Sequence, residues 1–218
     1  SRNLVGILPS VTFANDVAQA IVTEVQGTVG FFHHQGCCQL PPDLDRVTET
    51  LTSLGCSPNL AAVLIVSLGC EGTDYEKMYS AIEATGKPVR IIGIQELGCV
   101  SNAIQKGIDL ARELVLQVSG HQREPVDISR AVMAIKCGAS DTTSGMASNC
   151  VIGYVADKLV DLGATVVFGE TTEFLGGEHL LARRAVNEQV AQKIYDFVNA
   201  MEARAKSLGC DMRKGQPT

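Results

Sequence analysis

Residues 61–71 read AAVLIVSLGCE, a run of apolar and β-branched side chains that ends in a glycine, a cysteine and a glutamate. A short apolar run bounded by polar breaks is typical of a strand that is buried on both faces. Strands of this kind occur in parallel sheets that helices cover on both sides. The stretch therefore predicts a parallel sheet, with Cys70 and Glu71 at the carboxyl end of one of its strands.

Five further apolar runs flank this one and alternate with segments of helical periodicity. The predicted strands are residues 4–8, 28–32, 61–67, 89–94, 130–135 and 165–168. The predicted helices are residues 14–25, 44–54, 74–85, 100–119, 151–162 and a longer stretch, continuous or interrupted, at 178–206. Strands that alternate with helices in this way form parallel sheets with right-handed crossovers. We therefore predict an α/β fold, a three-layer, doubly wound, mostly parallel sheet of about six strands with a Rossmann-like architecture.

The composition of the 218 residues narrows the functional classes. With 45% hydrophobic and 19% charged residues the chain can bury a core, and no run is long and apolar enough to span a bilayer. A net charge of −6 disfavours nucleic acids and anionic membranes as partners, because both bind through Lys and Arg. Eight cysteines in a chain that needs no disulfides for stability predict reduced thiols and a cytoplasmic location.

The organisation of the chain predicts a single α/β domain over residues 1–218. A candidate internal boundary lies in the polar, proline-containing stretch HQREPVD at 121–127. The polar tail DMRKGQPT at 211–218 carries no element that would terminate a sheet domain. This tail leads us to expect that the chain is an excised part of a larger enzyme.

Two polar breaks in the first half of the chain carry side chains that suit catalysis. The stretch HHQGCC at 33–38 follows the second predicted strand, and imidazole and thiolate are good ligands for iron or zinc. The alternative for this stretch is a strand-end loop that only packs under its neighbour. Glu71 fits two interpretations, either a metal ligand or general base at a strand end, or the start of the next helix near Asp74.

The stretch CGASDTTSG at 137–145 is the strongest functional candidate of the chain. It is long, rich in small polar residues and followed by a predicted helix, so its backbone N–H groups suit a carboxylate or a phosphate. Asp141 adds a potential base or metal ligand. The alternative is an ordinary helix-capping loop, with Ser144 or Ser148 at the N-cap.

A third polar segment, ETTEFLGGE at 170–178, brings three carboxylates to the end of the last predicted strand. The side chains of Glu170, Glu173 and Glu178 could surround a cation or a reacting carbon. The alternative is a solvated acidic loop that caps the following helix. Of the two arginines at 183 and 184, one could pair with a substrate carboxylate while the other faces solvent.

Taken in order, these motifs resemble those of the altronate/galactarate dehydratase family of sugar-acid hydro-lyases. The resemblance extends over nearly the whole chain, and the collinear order of short motifs makes it specific. The matching stretches are RN at 2–3, HQGCCQ at 34–39, PN at 58–59, LGCE at 68–71, CGASD at 137–141, SG at 144–145, Asn149, ETTE at 170–173, GE at 177–178 and RA at 184–185.

The resemblance implies a metal-dependent dehydratase that acts on a sugar acid of the altronate or galactarate type. Such an enzyme removes the proton α to a carboxylate and eliminates water from the β position, usually with Fe²⁺, and Mn²⁺ or Mg²⁺ are alternatives. The catalytic residues implied are His34 or Asp141 as the base, together with Glu71. The substrate contacts implied are Ser140, Thr142, Ser144, Gly145, Asn149 and Arg184. The metal ligands implied are Cys37, Glu170 and Glu173.

The chain also departs from the pattern of this family. The family's small N-terminal domain, which is a separate subunit in some relatives, and its C-terminal continuation are both absent, so we expect little or no activity from this chain alone. Ala139 replaces the second glycine of the family's Cys-Gly-Gly-Ser-Asp pattern, which narrows the backbone freedom of the loop. The partners implied are a small sugar acid, the missing domain or subunit, the C-terminal remainder and further copies of the chain in a homo-oligomer.

Three other functions remain open at the level of sequence. The large subunit of a related sulfo-lyase would release sulfite from sulfolactate by the same kind of elimination. A thiol or iron–sulfur binding module without catalysis would use the cysteines at predicted strand ends, which are Cys37, Cys70, Cys99 and Cys137. A structural assembly domain would bind neither metal nor ligand.

Overall fold

The computed structural model of the chain describes residues 2–138 and 141–214. The chain divides into two compact units, Ser1–Arg123 and Glu124–Thr218, and the division falls inside the polar segment at 121–127. No helix within the described ranges has the length and the apolar character needed to cross a membrane.

The first unit alternates strands and helices along its whole length. Its elements are β1 (Leu4–Pro9), α1 (Asn15–Glu24), β2 (Thr28–Gly30), α2 (Pro41–Gly55), β3 (Leu60–Ser67), α3 (Tyr75–Glu83), β4 (Val89–Gly93) and α4 (Val100–Ser119). The four strands are parallel and lie in the order β2-β1-β3-β4. The apolar run AAVLIVS at 61–67 thus lies in β3, an inner strand of this sheet.

Side-chain alternation along β3 divides the core of the first unit into two layers. Ala62, Leu64 and Val66 pack with α1 and α4 on one face of the sheet, whereas Val63 and Ile65 pack with α2 and α3 on the other. All five side chains are fully buried. Because successive residues of a strand point to opposite faces, a sheet covered on both sides requires an unbroken apolar run. The predicted three layers are confirmed in this unit.

The second unit is a smaller α/β arrangement. Its elements are β5 (Val132–Ile135), α5 (Asn149–Asp161), β6 (Thr165–Phe168), α6 (Glu178–Ala182) and α7 (Glu188–Ser207). β5 and β6 pair in parallel as a two-stranded sheet. A π-helical turn at Ser144–Ser148 leads into α5, and a 3₁₀ turn at Thr171–Phe174 follows β6.

The structure confirms the α/β class and the parallel strands, but it distributes the strands differently from the expectation. All six predicted strands occur among the described residues, four in one sheet and two in another, instead of in one sheet. Which strands share a sheet depends on long-range pairing, and the apolar pattern of one segment does not encode that pairing. The helical stretch at 178–206 is interrupted because Asn187 begins a new helix, with its side chain accepting from Val190 N at 2.9 Å.

Candidate functional site

The order of strands in the first unit reverses between β1 and β3. The chain continues from β1 to β2 on one side and from β3 to β4 on the other. In open parallel sheets the loops at the carboxyl ends of two such strands diverge and leave a crevice in which ligands bind. We call residues 10–14, 31–40 and 68–74, which follow β1, β2 and β3, the switch-point loops.

Backbone hydrogen bonds join the three switch-point loops. Thr12 N donates to the carbonyl oxygen of Gln35 at 2.9 Å, and Gly72 N donates to that of Gly36 at 3.1 Å. The loop after β2 therefore contacts the loop after β1 and the loop after β3. The stretch HHQGCC and the Cys-Glu pair at 70–71, far apart in sequence, are brought to the same edge of the sheet.

Both carboxylate oxygens of Glu71 accept hydrogen bonds within the switch-point loops. Oε1 accepts from the hydroxyl of Ser10 and, at 3.1 Å, from Leu68 N, while Oε2 accepts from Gly69 N at 2.6 Å. Ser10 is fully buried. The carboxylate thus connects the loop after β1 to the loop after β3. With three donors on its two oxygens, Glu71 is better placed to fix these loops than to abstract a proton.

Replacing Glu71 with glutamine is expected to destabilise the first unit by about 2 kcal/mol. Glutamine keeps one oxygen but replaces the other with an NH₂ group, which cannot accept a hydrogen bond. One of the three donors then loses its acceptor in a partly buried place. Chemical denaturation measures the loss, and Glu76→Gln at an exposed position of α3 is the matched control. Equal stability of the two variants would contradict the role assigned to Glu71.

The two adjacent histidines have different environments. Nε2 of His33 lies 2.8 Å from the carbonyl oxygen of Pro9, and its Nδ1 accepts from Gln35 N at 3.2 Å. In this pattern Nε2 donates to Pro9 and Nδ1 is the acceptor. His34 is exposed, and its ring has no hydrogen bond to another described residue. Of the two rings, that of His34 is the more exposed, and it has no hydrogen bond to a described residue that a substrate would have to displace.

Three cysteines lie on the switch-point loops. The sulfurs of Cys37 and Cys38 are 3.4 Å apart, and the hydrogen bond between them, followed by partial burial, raises the pKa of the Cys37 thiol. The sulfur of Cys70 accepts from Nε2 of Gln95, a residue that follows β4, at 3.3 Å. All eight cysteines of the chain lie in its described part, and all are free thiols.

In the second unit, Asp141 caps the helical turn that leads into α5. Oδ1 accepts from Ser144 N at 2.8 Å and from the Thr143 hydroxyl at 2.5 Å, and Oδ2 accepts from the Ser144 hydroxyl at 3.2 Å. These hydrogen bonds, that from the Thr143 hydroxyl first, lower the pKa of Asp141. A carboxylate with a lowered pKa is a weaker base, so the geometry favours the capping role over proton abstraction.

The lowered pKa of Asp141 predicts how α5 responds to acid. Since the folded form favours the ionised carboxylate, the stabilisation is complete above the ordinary pKa of 3.8 and is lost as the pH falls through the lowered value. Asp141→Asn should therefore speed amide hydrogen exchange in α5 at neutral pH and speed it less in acid, at a pH below 3.8, after correction for intrinsic rates. Asp45→Asn at an exposed position of α2 is the control. An equal effect at both pH values would overturn this prediction.

Glu170 joins the carboxyl ends of β5 and β6. Its carboxylate accepts from Nζ of Lys136 at 3.0 Å and from Cys137 N at 2.9 Å. Both contacts lower the pKa of Glu170, and the contact with Lys136 has the larger effect. The backbone of Glu170 is left-handed, with φ of +64°, which is uncommon for a residue with a side chain.

Two residues that donate hydrogen bonds to Glu71 and Glu170 are not among the site residues predicted from the sequence. Ser10 directly follows β1, and Lys136 directly follows β5. The signal that could identify them is a polar or charged side chain at the carboxyl end of a strand. Each lies at the edge of its own sheet that also carries an acidic residue, which is Glu71 for Ser10 and Glu170 for Lys136.

The remaining predicted substrate contacts lie on or beyond the loop at 137–145. Arg184 forms an exposed ion pair with Oδ1 of Asp157 at 3.5 Å. Ser140 lies outside the described residues. The predicted contacts that are exposed at or before the start of α5 are Thr142, Gly145 and Asn149. These positions are accessible, and their role in binding stays a prediction.

The predicted metal ligands are divided between the two units. Cys37 lies in the first unit, and Glu170 and Glu173 lie in the second. Among residues 2–138 and 141–214, no three His, Cys, Asp or Glu side chains are placed to hold a metal ion together. The metal site therefore stays a prediction from the family resemblance.

Two models of known protein families match the chain. The family model described as D-galactarate dehydratase/altronate hydrolase, second domain, matches residues 1–119, which is more than half of the 218 residues. The model described as D-galactarate/altronate dehydratase, C-terminal, matches residues 128–218. The two matches flank the polar segment at 121–127.

Curated relatives match along much or all of the chain. The β subunit of (2R)-sulfolactate sulfo-lyase from Chromohalobacter salexigens is 41% identical over 100% of the chain and 55% of that protein. Altronate dehydratase from Bacillus subtilis is 31% identical over 91% of the chain and 41% of that protein. Galactarate dehydratase (L-threo-forming) from Escherichia coli is 32% identical over 68% of the chain and 30% of that protein. The chain thus spans about half or less of the length of these relatives.

Proposed function

Because this chain belongs to the D-galactarate/altronate dehydratase family, we propose that it forms part of a carbon–oxygen lyase that dehydrates a sugar acid. The observation that carries the proposal is the pair of family matches, which leaves only residues 120–127 unmatched. The proposed reaction removes the proton α to the substrate carboxylate and eliminates the β-hydroxyl group as water. The resulting enol becomes a 2-keto-3-deoxy acid.

His34 is the base that the geometry favours for the proton transfer. Removing a proton next to a carboxylate requires a base that is free to accept it, and groups that stabilise the negative charge that develops. Glu71 and Asp141 already accept hydrogen bonds through both of their oxygens, whereas the ring of His34 is exposed. We therefore assign the proton transfer to His34 and a positioning role to the two carboxylates.

The loop at 137–145 and the start of α5 supply the proposed contacts to the substrate. Hydroxyl groups and backbone N–H groups suit the carboxylate and the hydroxyls of a sugar acid. The exposed ion pair between Arg184 and Asp157 is weak in water, so Arg184 can exchange it for a substrate carboxylate. The proposed set is Ser140, Thr142, Ser144, Gly145, Asn149 and Arg184.

We also propose that the enzyme uses a divalent metal, either Fe²⁺ or, as alternatives, Mn²⁺ or Mg²⁺. This part of the proposal rests on the family resemblance alone. The described residues bring no complete set of ligands together, so we assign no step of the reaction to a metal. Cys37, Glu170 and Glu173 stay the predicted ligands. Metal analysis of the product of the complete gene, purified without oxygen, tests them, and an unchanged metal content in Cys37→Ser would exclude Cys37.

A sulfo-lyase is the second candidate, and a specific observation favours it. The relative that is 41% identical over the whole chain is a subunit of (2R)-sulfolactate sulfo-lyase. The reaction would begin with the same removal of a proton α to a carboxylate, but the group that leaves from the β carbon would be sulfite instead of water. The same base and the same carboxylate contacts serve both reactions, so the leaving group is the difference to test.

Partners and location complete the proposal. The relatives are longer than this chain, and one of them is named as a subunit, so we propose that further domains or subunits complete the active site. We also propose a homo-oligomer. We also propose a cytoplasmic location, which the free thiols support because a reducing compartment maintains them.

Turnover assays on the product of the complete gene test the proposal. The substrates are altronate, galactarate and (2R)-sulfolactate with added Fe²⁺, and the readouts are 2-keto acid and sulfite. A keto-deoxy product supports the dehydratase, and sulfite supports the sulfo-lyase. If a folded, metal-loaded protein gives neither, both lyase proposals fail in favour of a binding or assembly module. The 218-residue chain assayed alone should give little or no product.

A further inference from the structure

Cys37 and Cys38 form a pair of neighbouring thiols on the loop after β2. Their sulfurs are 3.4 Å apart, and Cys38 is exposed whereas Cys37 is half-buried. Cys38 has a left-handed backbone with φ of +56°, which is uncommon for a residue other than glycine. We propose that this pair is a reversible oxidation site, at which hydrogen peroxide converts the two thiols into a disulfide between adjacent residues.

The loop around the pair is fixed on both sides. Gly36 N donates to Oε1 of Gln39 at 2.8 Å, and the carbonyl oxygen of Gly36 accepts from Gly72 N at 3.1 Å. On the other side, the carbonyl oxygen of Gln35 accepts from Thr12 N at 2.9 Å. Because these contacts hold the backbone, the two sulfurs are close before an oxidant arrives, and joining them loses little conformational freedom.

Oxidation takes place in two balanced steps. The exposed Cys38 sulfur attacks one oxygen of hydrogen peroxide, so that an S–O bond forms, the O–O bond breaks and hydroxide leaves as water with the Cys38 thiol proton. The Cys37 sulfur then attacks the sulfenic sulfur, so that the S–S bond forms, the S–O bond breaks and hydroxide leaves as water with the Cys37 thiol proton. The two sulfurs lose two electrons in total, and peroxide is reduced to two molecules of water.

A disulfide at this position is easily reduced again. The two Cα atoms of adjacent residues joined by a trans peptide are about 3.8 Å apart. Unstrained disulfides have Cα atoms about 4.4 to 6.8 Å apart, and shorter separations store strain that makes the bond more reducible. Strained, exposed disulfides are the labile ones, so this pair acts as a switch and not as a structural link.

Two other thiols could compete for the oxidant. Cys70 lies on the loop after β3, where its sulfur accepts a hydrogen bond from Gln95. Cys99 is exposed at the N-cap of α4, and the hydroxyl of Ser101 is the first of the hydrogen-bonding groups that lower the pKa of its thiol. The ease of ionisation favours Cys99, whereas the proximity of a second sulfur favours the pair at 37 and 38.

Mass spectrometry of the oxidised chain distinguishes these outcomes. The reduced 218-residue chain is treated with one equivalent of hydrogen peroxide in the presence of a chelator, alkylated with N-ethylmaleimide and digested with trypsin. The tryptic peptide of residues 3–46 contains Cys37 and Cys38 and no other cysteine. We expect this peptide to lose two hydrogen atoms and to carry no maleimide, and we expect dithiothreitol to restore both alkylation sites.

The control variants are Cys38→Ser, which should abolish the loss of two hydrogens, and Cys99→Ser, which should leave it unchanged. Three results on the unmodified chain would overturn the proposal. They are a peptide that carries two maleimides after peroxide, a peptide with added oxygen atoms in place of lost hydrogens, and a disulfide that links residues 3–46 to the tryptic peptide at 47–77, which contains Cys56 and Cys70. None of these readouts depends on lyase activity.

Discussion

Replacing His34 with glutamine lowers kcat/KM by about 10²- to 10⁴-fold, which is the range that a general base contributes. The measurement uses the product of the complete gene and whichever acid it turns over. Glutamine has a similar length and can still form hydrogen bonds, but its amide does not accept a proton at neutral pH. Since His34 is exposed, the same variant should unfold at the same temperature as the unmodified protein.

Variants at two other histidines distinguish a loss of catalysis from a loss of stability. His121→Gln changes an exposed ring outside the switch-point loops and should leave both kcat/KM and thermal unfolding unchanged. His33→Gln removes a ring that contacts the carbonyl oxygen of Pro9 and Gln35 N, and it should lower the unfolding temperature. If His34→Gln kept full activity while the protein remained folded, the assignment of the base would be wrong.

The sequence predicts the layers of the first unit because one run of residues determines them. Each residue of β3 faces one of two helical layers, and an apolar residue at every position has no other simple interpretation. The division of the strands into two sheets could not be predicted in this way. The runs at 132–135 and 165–168 are as apolar as other predicted strands, but in the structure they pair with each other. Local periodicity contains no information about that partner.

The meeting of Cys37 and Glu71 at one edge of the first sheet was predictable, but the roles of these residues were not. Polar residues at the carboxyl ends of parallel strands must meet at one edge, so Cys37 and Glu71 could be placed there from sequence. Whether a carboxylate acts as a base or fixes a loop depends on the donors that surround it. For Glu71 one donor is the hydroxyl of Ser10, 61 positions away in the chain, and no motif specifies that contact.

Replacing Gly36 with alanine is expected to destabilise the first unit by about 3 kcal/mol, as the sum of backbone strain and overlap. The φ of Gly36 is +98°, in a region that residues with a Cβ avoid. An added Cβ would lie 2.8 Å from the carbonyl oxygen of Ser10 and 3.0 Å from Cα of Val11. Both are backbone atoms of the loop after β1, so the rotation of a side chain cannot relieve the overlap. Chemical denaturation measures the loss.

Gly86→Ala is the control that separates the two causes. Gly86 has a similar φ of +83°, but a Cβ there would have no described atom within 4 Å. Alanine at this position should therefore cost only the backbone strain of a left-handed residue, about 1 kcal/mol. The difference of about 2 kcal/mol between the two variants measures how closely the loop after β2 approaches the loop after β1. Equal losses would mean that the approach is not needed for stability. The larger loss at Gly36 would show that the HHQGCC stretch requires a glycine here because its backbone passes close to Ser10 and Val11 of the loop after β1.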